Sequence, residues 1–171
     1  MKNVISDWLS SPNTPLVAIP SQRIGEWTGI GSNEHGTGVY DRAADLPGYT
    51  GVLDVGAFQV LVLGDEPLPT ATIDSLGGIS IVRCVYCENL KTLDRLLAGV
   101  PYELGTPVWE SVLRVGTYRD WVLFDALHAG LGDVVRLPFR LSAGGTYRIL
   151  TYEVQLNHQN RVLVHRFVVS Q

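Results

Sequence analysis

The sequence has few of the features on which secreted and membrane proteins depend. Only two cysteines, Cys84 and Cys87, occur among 171 residues, too few for the disulfide framework of a small secreted domain. Its unbroken apolar runs are a handful of residues long, whereas a membrane-spanning helix needs about 20. Asp7 interrupts the apolar core that a secretory signal in "MKNVISDWLSS" would require. We therefore expect a cytoplasmic protein with no membrane partner.

An excess of basic residues is also missing. The net charge is −4, which argues against nucleic acid as a partner. The segment from Gly31 to Ser75 contains seven acids and one base, while the rest of the chain contains ten acids and twelve bases. A solvated loop region explains this segregation without any partner. A field of one sign that attracts a basic partner is the sharper interpretation.

Catalytic signatures are absent as well. The sequence contains no Gly-x-Ser-x-Gly nucleophile elbow, phosphate-binding loop, His-Glu-x-x-His zinc motif or dinucleotide fingerprint. A hydrolase or nucleotide-dependent enzyme of this size would usually carry one such element. We therefore expect no catalytic residues, no metal site and no cofactor.

Two residue pairs keep an enzymatic alternative open. Cys84 and Cys87 have the spacing of a thioredoxin-like redox pair ahead of a helix, although a strand would turn residues three apart to opposite faces. Asp125 and His128 are also three apart, a spacing that would let the carboxylate orient the imidazole for acid–base catalysis. His165 falls within an alternating strand pattern, so we expect it to pack rather than catalyse.

Alternation of apolar and polar residues dominates the chain and predicts β-strands. The run "FQVLVL", apolar on both faces apart from Gln59, is typical of a buried central strand. The final two strands are separated by "NHQN", a loop of hairpin length. The predicted strands are 58–63, 79–86, 108–115, 120–126, 145–156 and 161–169.

A single segment reads firmly as helix, at about 89–98. Its leucines fall within one stripe, Asn89 is suited to the N-cap, and Gly99 is suited to the closing position. A shorter turn of helix is expected at Ser21–Trp27. The predicted fold is mainly β (α+β), a two-layer antiparallel sheet or sandwich-like arrangement with the amphipathic helix packed on it, in a single domain covering 1–171.

The corner "GDEP" places two carboxylates side by side at a strand end. Gly64 frees the backbone to turn, and Pro67 favours extended backbone at Glu66. Successive carboxylates on an extended segment diverge, so Asp65 and Glu66 form a poor shared-proton pair. A structural corner and a contact with a partner are the main interpretations, and catalysis is the third.

Several runs that follow one another from Pro15 to Phe167 carry a family resemblance: "PLVAIP", "GEWTG", "YDRAADLPGYTGVLDVG", "VLVLGDEPLPT", "IVRCVYCENLKTLDRLL", "WVLFDALHAG", "LPFRLSAGGTYRILTYE" and "RVLVHRF". In these runs the chain resembles the Immunity protein 21 family of bacterial polymorphic toxin systems. The resemblance implies a mostly β immunity protein whose gene neighbours that of a secreted toxin. It implies binding and blocking of that toxin inside producer or sibling cells, without catalytic residues.

The chain departs from the family pattern in two places. At "CVYC" the family has an aromatic residue in place of the first cysteine and a small residue in place of the second, which weakens the redox alternative. The loop from Ser32 to Gly38 is longer than the family pattern, so no binding role is assigned to it.

The acidic segment suggests where a basic toxin surface would bind. Electrostatic steering would speed capture, and a few buried aromatic residues would supply affinity. A scaffold domain with no toxin partner is the duller alternative. The predicted partner-binding residues are Tyr40, Asp41, Asp45 and Tyr49, with Asp65 and Glu66 if their corner is exposed.

Overall fold

The computed structural model describes residues 3–10, 14–30, 38–64, 68–75, 78–99 and 104–170. These residues form eleven strands, a 3-10 helix at Ser21–Glu26 and two α-helices, α1 (Val39–Ala44) and α2 (Leu90–Gly99). In chain order the strands are β1 (Val4–Ile5), β2 (Leu16–Pro20), β3 (Thr50–Val55), β4 (Phe58–Leu63), β5 (Thr70–Ser75), β6 (Gly78–Tyr86), β7 (Trp109–Gly116), β8 (Asp120–Asp125), β9 (Leu137–Arg140), β10 (Gly145–Asn157) and β11 (Asn160–Val169).

The strands build two antiparallel sheets that pack face to face. One sheet has the order β1-β5-β6-β11-β10-β7 and the other the order β3-β4-β2-β8-β9. The predicted central position of β4 is confirmed, since β3 and β2 flank it. The predicted hairpin is also confirmed: Asn157 pairs with Asn160, so its turn consists of His158 and Gln159. The mainly β, two-layer fold is therefore the predicted one.

Apolar side chains from both sheets fill the layer between them. Leu61 and Leu123 of the five-stranded sheet meet Ile81 and Ile149 of the six-stranded sheet in one buried cluster. Burying a side chain of this size contributes roughly 1.5–3 kcal/mol. Apolar contact is therefore the main interaction that holds the two sheets together.

β6 is buried on both faces, as its sequence predicts. Ile79 and Ile81 point into the layer between the sheets. Val82 and Cys84 point to the opposite side, into a separate cluster beneath α2. This double burial explains why β6 reads as an apolar run rather than as a simple alternation.

α2 covers part of the outer face of the six-stranded sheet. Leu93 and Leu97 are fully buried there, and Leu90 packs at the margin, whereas Leu96 of the predicted stripe is only partly buried. The predicted N-cap is confirmed, because the Asn89 Oδ1 atom accepts a hydrogen bond of 2.9 Å from the Thr92 amide.

The outer face of the five-stranded sheet is covered by α1, the 3-10 helix and the loop that follows it. Ala43 and Trp27 are buried in the apolar cluster on this face. The Trp27 indole donates a hydrogen bond of 2.9 Å to the Ala126 carbonyl, which fixes the loop to the sheet. The turn of helix predicted at Ser21–Trp27 is found as the 3-10 helix. In the described part of the chain, no helix has the length and apolarity to span a membrane.

Replacing Asn89 by alanine should lower the free energy of unfolding by about 1 kcal/mol, because the Thr92 amide loses its acceptor. Urea unfolding followed by circular dichroism would measure the change. Asn89→Ser is the matched control, since a serine hydroxyl also caps; equal stabilities for Asn89→Ala and Asn89→Ser would contradict the capping role.

Candidate partner-binding surface

Three of the predicted binding residues lie on α1 or at its end. Tyr40 packs partly against the apolar cluster of the five-stranded sheet. The Asp41 carboxylate accepts a hydrogen bond of 3.1 Å from the Gly38 amide, so it satisfies a donor at the start of the helix. Asp45 is exposed at the opposite end, where a negative charge faces helix carbonyls and is unfavourable. Asp41 therefore supports α1, whereas the charge of Asp45 does not.

Tyr49 links the two sheets at one end of the molecule. Its hydroxyl donates a hydrogen bond of 2.7 Å to Glu153 Oε1 on β10. Glu153 also accepts a hydrogen bond from Arg161 of β11. The bond from Tyr49 and then that from Arg161 lower the pKa of the Glu153 carboxyl, which keeps it ionised. Tyr49 is therefore held in one orientation while part of its ring remains accessible.

Trp109, at the start of β7, packs against the turn that contains Gly48 and Tyr49. Its indole donates a hydrogen bond of 2.8 Å to the Thr50 carbonyl. Its ring also lies so close to Gly48 that a Cβ there would sit 2.4 Å from a ring atom. Gly48 has a φ of 86°, a conformation that favours glycine. Trp109 is nevertheless 37% exposed, so it presents a rigid aromatic edge beside Tyr49.

Sequence reasoning missed Trp109 as a surface residue because it considered only the alternation of β7, which assigns Trp109 to the same face as Leu113. The available signal was its place near the start of the predicted strand 108–115, where cover by neighbouring strands ends. Tryptophan and tyrosine are enriched among the residues that dominate interface energies. We define the candidate surface as Tyr40, Asp41, Asp45, Tyr49 and Trp109.

Asp65 and Glu66 lie outside the described residues. Gly64 immediately precedes them, and its amide donates a hydrogen bond of 3.1 Å to the Tyr49 carbonyl. The Gly64 carbonyl accepts a hydrogen bond of 3.0 Å from the buried Arg83. The chain therefore enters the acidic corner from a position beside Tyr49, and a binding role for the two carboxylates stays a prediction.

The acidic segment of the sequence is divided in space. Asp54 on β3 accepts hydrogen bonds from Gln59 and Arg114, at 3.0 and 3.4 Å. Asp74 is exposed on β5, in the other sheet. A run of like charges in sequence therefore does not make one uniform patch, and Asp41 and Asp45 share α1 apart from Asp74.

The surroundings of Cys84 do not favour a reactive thiol. Burial, and then the hydrogen bond with Cys87, raise the pKa of the Cys84 thiol to about 12. The thiol therefore stays protonated at neutral pH, the opposite of an activated nucleophile. The expectation that the strand turns the two cysteines to opposite faces was wrong, because both contact the cluster beneath α2. Val85 is an extra residue in the pairing of β6 with β11, and this bulge interrupts the alternation.

The Asp125 and His128 pair is not organised for acid–base catalysis. The buried Asp125 Oδ1 accepts hydrogen bonds from the Thr14 hydroxyl, at 2.5 Å, and from the Leu127 amide, at 2.9 Å. His128 bonds to Asp125 through its backbone amide and the Asp125 carbonyl, at 3.2 Å, and its side chain is exposed. The carboxylate therefore orders the turn after β8.

His165 is buried between the sheets, as expected. Its Nδ1 lies 2.9 Å from the Thr151 hydroxyl oxygen. Burial, and then the charge of Arg83, lower its pKa to about 3, so the ring is neutral over the physiological range. An imidazole without access to solvent has no route to exchange protons with a substrate.

The described residues contain no group of three or more His, Cys, Asp and Glu side chains placed to hold a metal ion. One open groove, of about 320 Å³, runs past Phe58, Gly116 and Tyr118, with Asp54 and Arg114 at its rim. Those two charged groups bond to each other, so the groove offers no converging catalytic side chains.

Comparison with known proteins identifies a family. A family model described as Immunity protein 21 matches residues 7–160 of the chain. No curated protein and no solved structure matches it.

Cys84 should resist iodoacetamide at pH 7 in the folded protein and react once the chain is unfolded in urea, because burial keeps its thiol protonated. Mass spectrometry of a Cys87→Ser variant isolates this reaction. The complementary Cys84→Ser variant reports on the partly buried Cys87, which should react sooner. Equal rates for Cys84 in folded and unfolded chains would revive the redox alternative.

The folded protein should lose stability as the pH falls from about 6.5 towards about 3, because the unfolded chain binds a proton at His165 that the folded chain excludes. One such proton contributes up to about 1.4 kcal/mol per pH unit. Urea unfolding at several pH values should show a shallower dependence for His165→Gln than for the natural chain. His158→Gln, in the exposed turn, is the control; matching slopes for the His165 variant and the natural chain would contradict the assignment.

Proposed function

The chain belongs to the Immunity protein 21 family, and from this premise we propose that it neutralises a cognate secreted bacterial toxin by binding it. In this proposal the protein acts in the cytoplasm of the producing cell. It occludes the toxin by surface complementarity and performs no chemistry. The toxin domain presents a basic surface to Asp41 and Asp45 of the inhibitor.

The observation that carries this proposal is the fixed geometry of the candidate surface. Trp109 is held by its bond to Thr50 and its contact with Gly48, and Tyr49 is held by Glu153. Side chains that are already ordered lose little entropy on binding, so their contacts contribute more to affinity. Partly exposed aromatic residues of this kind favour a protein partner.

The charges favour a basic partner. Asp45 is exposed at a helix end where its charge is unfavourable for the helix itself. A residue that does not serve its own element is a reasonable candidate for a role in recognition. We include Asp65 and Glu66 in the proposal from the sequence alone, since they lie outside the described residues.

The alternative of an enzyme has less support. The pairs that would carry it are Cys84 with Cys87 and Asp125 with His128. Cys84 and Asp125 are buried, Cys87 is partly buried and the His128 side chain is exposed. Burial raises the pKa of Cys84 to about 12, which keeps its thiol protonated at neutral pH. Asp125 Oδ1 is engaged by Thr14 and Leu127.

Co-expression with the C-terminal domain of the secreted protein encoded beside it tests the proposal. The natural chain should restore growth and co-purify with that domain. Asp45→Lys combined with Asp41→Asn should weaken binding about tenfold or more, mainly through slower association, because attraction to the basic surface is lost. Asp41→Asn keeps an oxygen for the Gly38 amide, so α1 is retained.

Asp74→Lys is the matched control, since it reverses a charge in the same acidic stretch of sequence but on the other sheet. Surface plasmon resonance would measure the association and dissociation rates separately. Measurement at two salt concentrations would show how strongly the association rate depends on charge. Unchanged binding by the α1 variant, or equal weakening by the Asp74 control, would count against this surface. Failure of the natural chain to bind the toxin domain or to restore growth would contradict the proposed function.

A further inference from the structure

β7 is an edge strand. It is the last strand of the six-stranded sheet as described, and it pairs with β10 on one side. Edge strands present backbone donors and acceptors that another strand can use, and proteins usually blunt them with charge or cover.

Hydrogen bonds of β10 show which of its backbone groups face β7. The Thr146 carbonyl accepts a bond of 2.8 Å from Ser170, on the β11 side. The Thr151 carbonyl accepts a bond of 2.8 Å from Val108, on the β7 side. Because backbone groups alternate along a strand, odd-numbered residues of β10 bond to β7.

The register then identifies the outward residues of β7. Leu113 pairs with Tyr147 and Ser111 with Ile149, so these odd-numbered residues bond to β10. The Arg114 amide agrees with this parity, because it donates a bond of 2.8 Å away from β10, to the Gln59 side chain of the other sheet. The backbone groups of residues 110, 112 and 114 therefore face the free edge.

The side chains of these three residues form a self-complementary sequence. Glu110 is acidic, Val112 is apolar, and Arg114 is basic, and all three lie on the outer face of the sheet beyond α2. Val112 is 53% exposed, and the Arg114 side chain is 69% exposed. When a second copy of this strand runs antiparallel to the first, its Arg114 lies opposite Glu110 and its Glu110 lies opposite Arg114.

We propose that a second copy of this chain binds at this edge, with the two β7 strands antiparallel and Val112 opposite Val112 of the second copy. Glu110 of each copy then lies opposite Arg114 of the other. These positions are the ones whose backbone groups face outward, so each facing pair exchanges two hydrogen bonds. The two six-stranded sheets become one continuous sheet across a two-fold axis.

Charge selects this register over its neighbours. Sliding one strand by four residues in either direction places Glu110 opposite Glu110 or Arg114 opposite Arg114, and like charges directly opposite are destabilising. Sliding by two residues places a charge opposite Val112. Sliding by one residue places residues whose backbone groups face outward opposite residues whose backbone groups face β10. The hydrogen bonds between the two β7 strands are then lost.

Contacts within one chain are compatible with this pairing. Glu110 accepts two hydrogen bonds from Arg148, at 2.6 and 2.7 Å, and its carboxylate keeps further lone pairs for Arg114 of the second copy. The exposed pair of Arg114 with Asp54, at 3.4 Å, is weak and readily exchanged. The Gln59 side chain now occupies the Arg114 amide. In the dimer, the Glu110 carbonyl of the second copy takes its place.

Light scattering after size-exclusion chromatography tests the proposal on the full chain without any toxin. The natural chain should elute at twice its 18.7 kDa mass. Arg114→Glu should shift it to the single-chain mass, while Arg114→Lys, which keeps the charge, should not. Circular dichroism shows whether the Arg114→Glu variant remains folded.

Cysteine cross-linking tests the register independently of any change in stability. A Val112→Cys variant should form a disulfide-linked dimer on mild oxidation, because facing Cα atoms in such a pair lie about 5.5 Å apart, within disulfide reach. Glu110→Cys alone should not cross-link, since its equivalents are about 14 Å apart along the strands. A mixture of Glu110→Cys and Arg114→Cys chains should yield the mixed dimer. The natural chain controls for Cys84 and Cys87.

A single-chain mass for the natural protein at all concentrations, with no Val112→Cys cross-link, would overturn the proposal. A dimer that survives Arg114→Glu and cross-links equally at positions 110 and 112 would overturn it too. Neither result bears on toxin binding by the candidate surface, which is measured separately.

Discussion

The apolar layer between the two sheets is the interaction on which the rest of the molecule depends. β6 and β11 sit in the middle of the six-stranded sheet and are buried on both faces, towards the other sheet and towards α2. Because these strands are fixed on both sides, the ends of the neighbouring strands are fixed as well. Tyr49 from one sheet therefore meets Glu153 from the other at a defined distance, and the candidate surface inherits the rigidity of the core.

Strong periodicity made the centre of the fold predictable, and weak periodicity hid its margins. The strands and helix with clear apolar patterns, β4, β6, β10, β11 and α2, were predicted to within a residue or two. β5, rich in threonine, and β9, only four residues long with Pro138, carry too little pattern to recognise. β2 is buried on both faces, so it shows no alternation. α1 has only six residues and depends on the sheet beneath it.

The site was predictable only in part, because its geometry arises from contacts between distant residues. Tyr40, Asp41 and Asp45 were found from local composition, but the partners of Tyr49 and Trp109 are 59 or more positions away in the chain. The charge segregation seen in the sequence is also changed by folding, since Asp54 and Asp74 belong to different sheets. The bulge at Val85 likewise changed the arrangement expected for the cysteines, since both now contact the cluster beneath α2. Each error arose because a pattern among neighbouring residues was used to predict an arrangement that contacts between distant residues determine.

The placement of polar groups separates a binding protein from an enzyme in physical terms. An enzyme keeps ionisable groups in a pocket where they can change protonation state and reach a substrate. Here, in the described residues, the groups whose pKa values are shifted most, Cys84 and His165, are buried and neutral, and Asp125 serves a turn. Tyr49 and Trp109 are accessible aromatic residues held by hydrogen bonds, and Asp45 is an exposed carboxylate that its own helix does not use. These features support the proposed binding of another protein through fixed shape and charge.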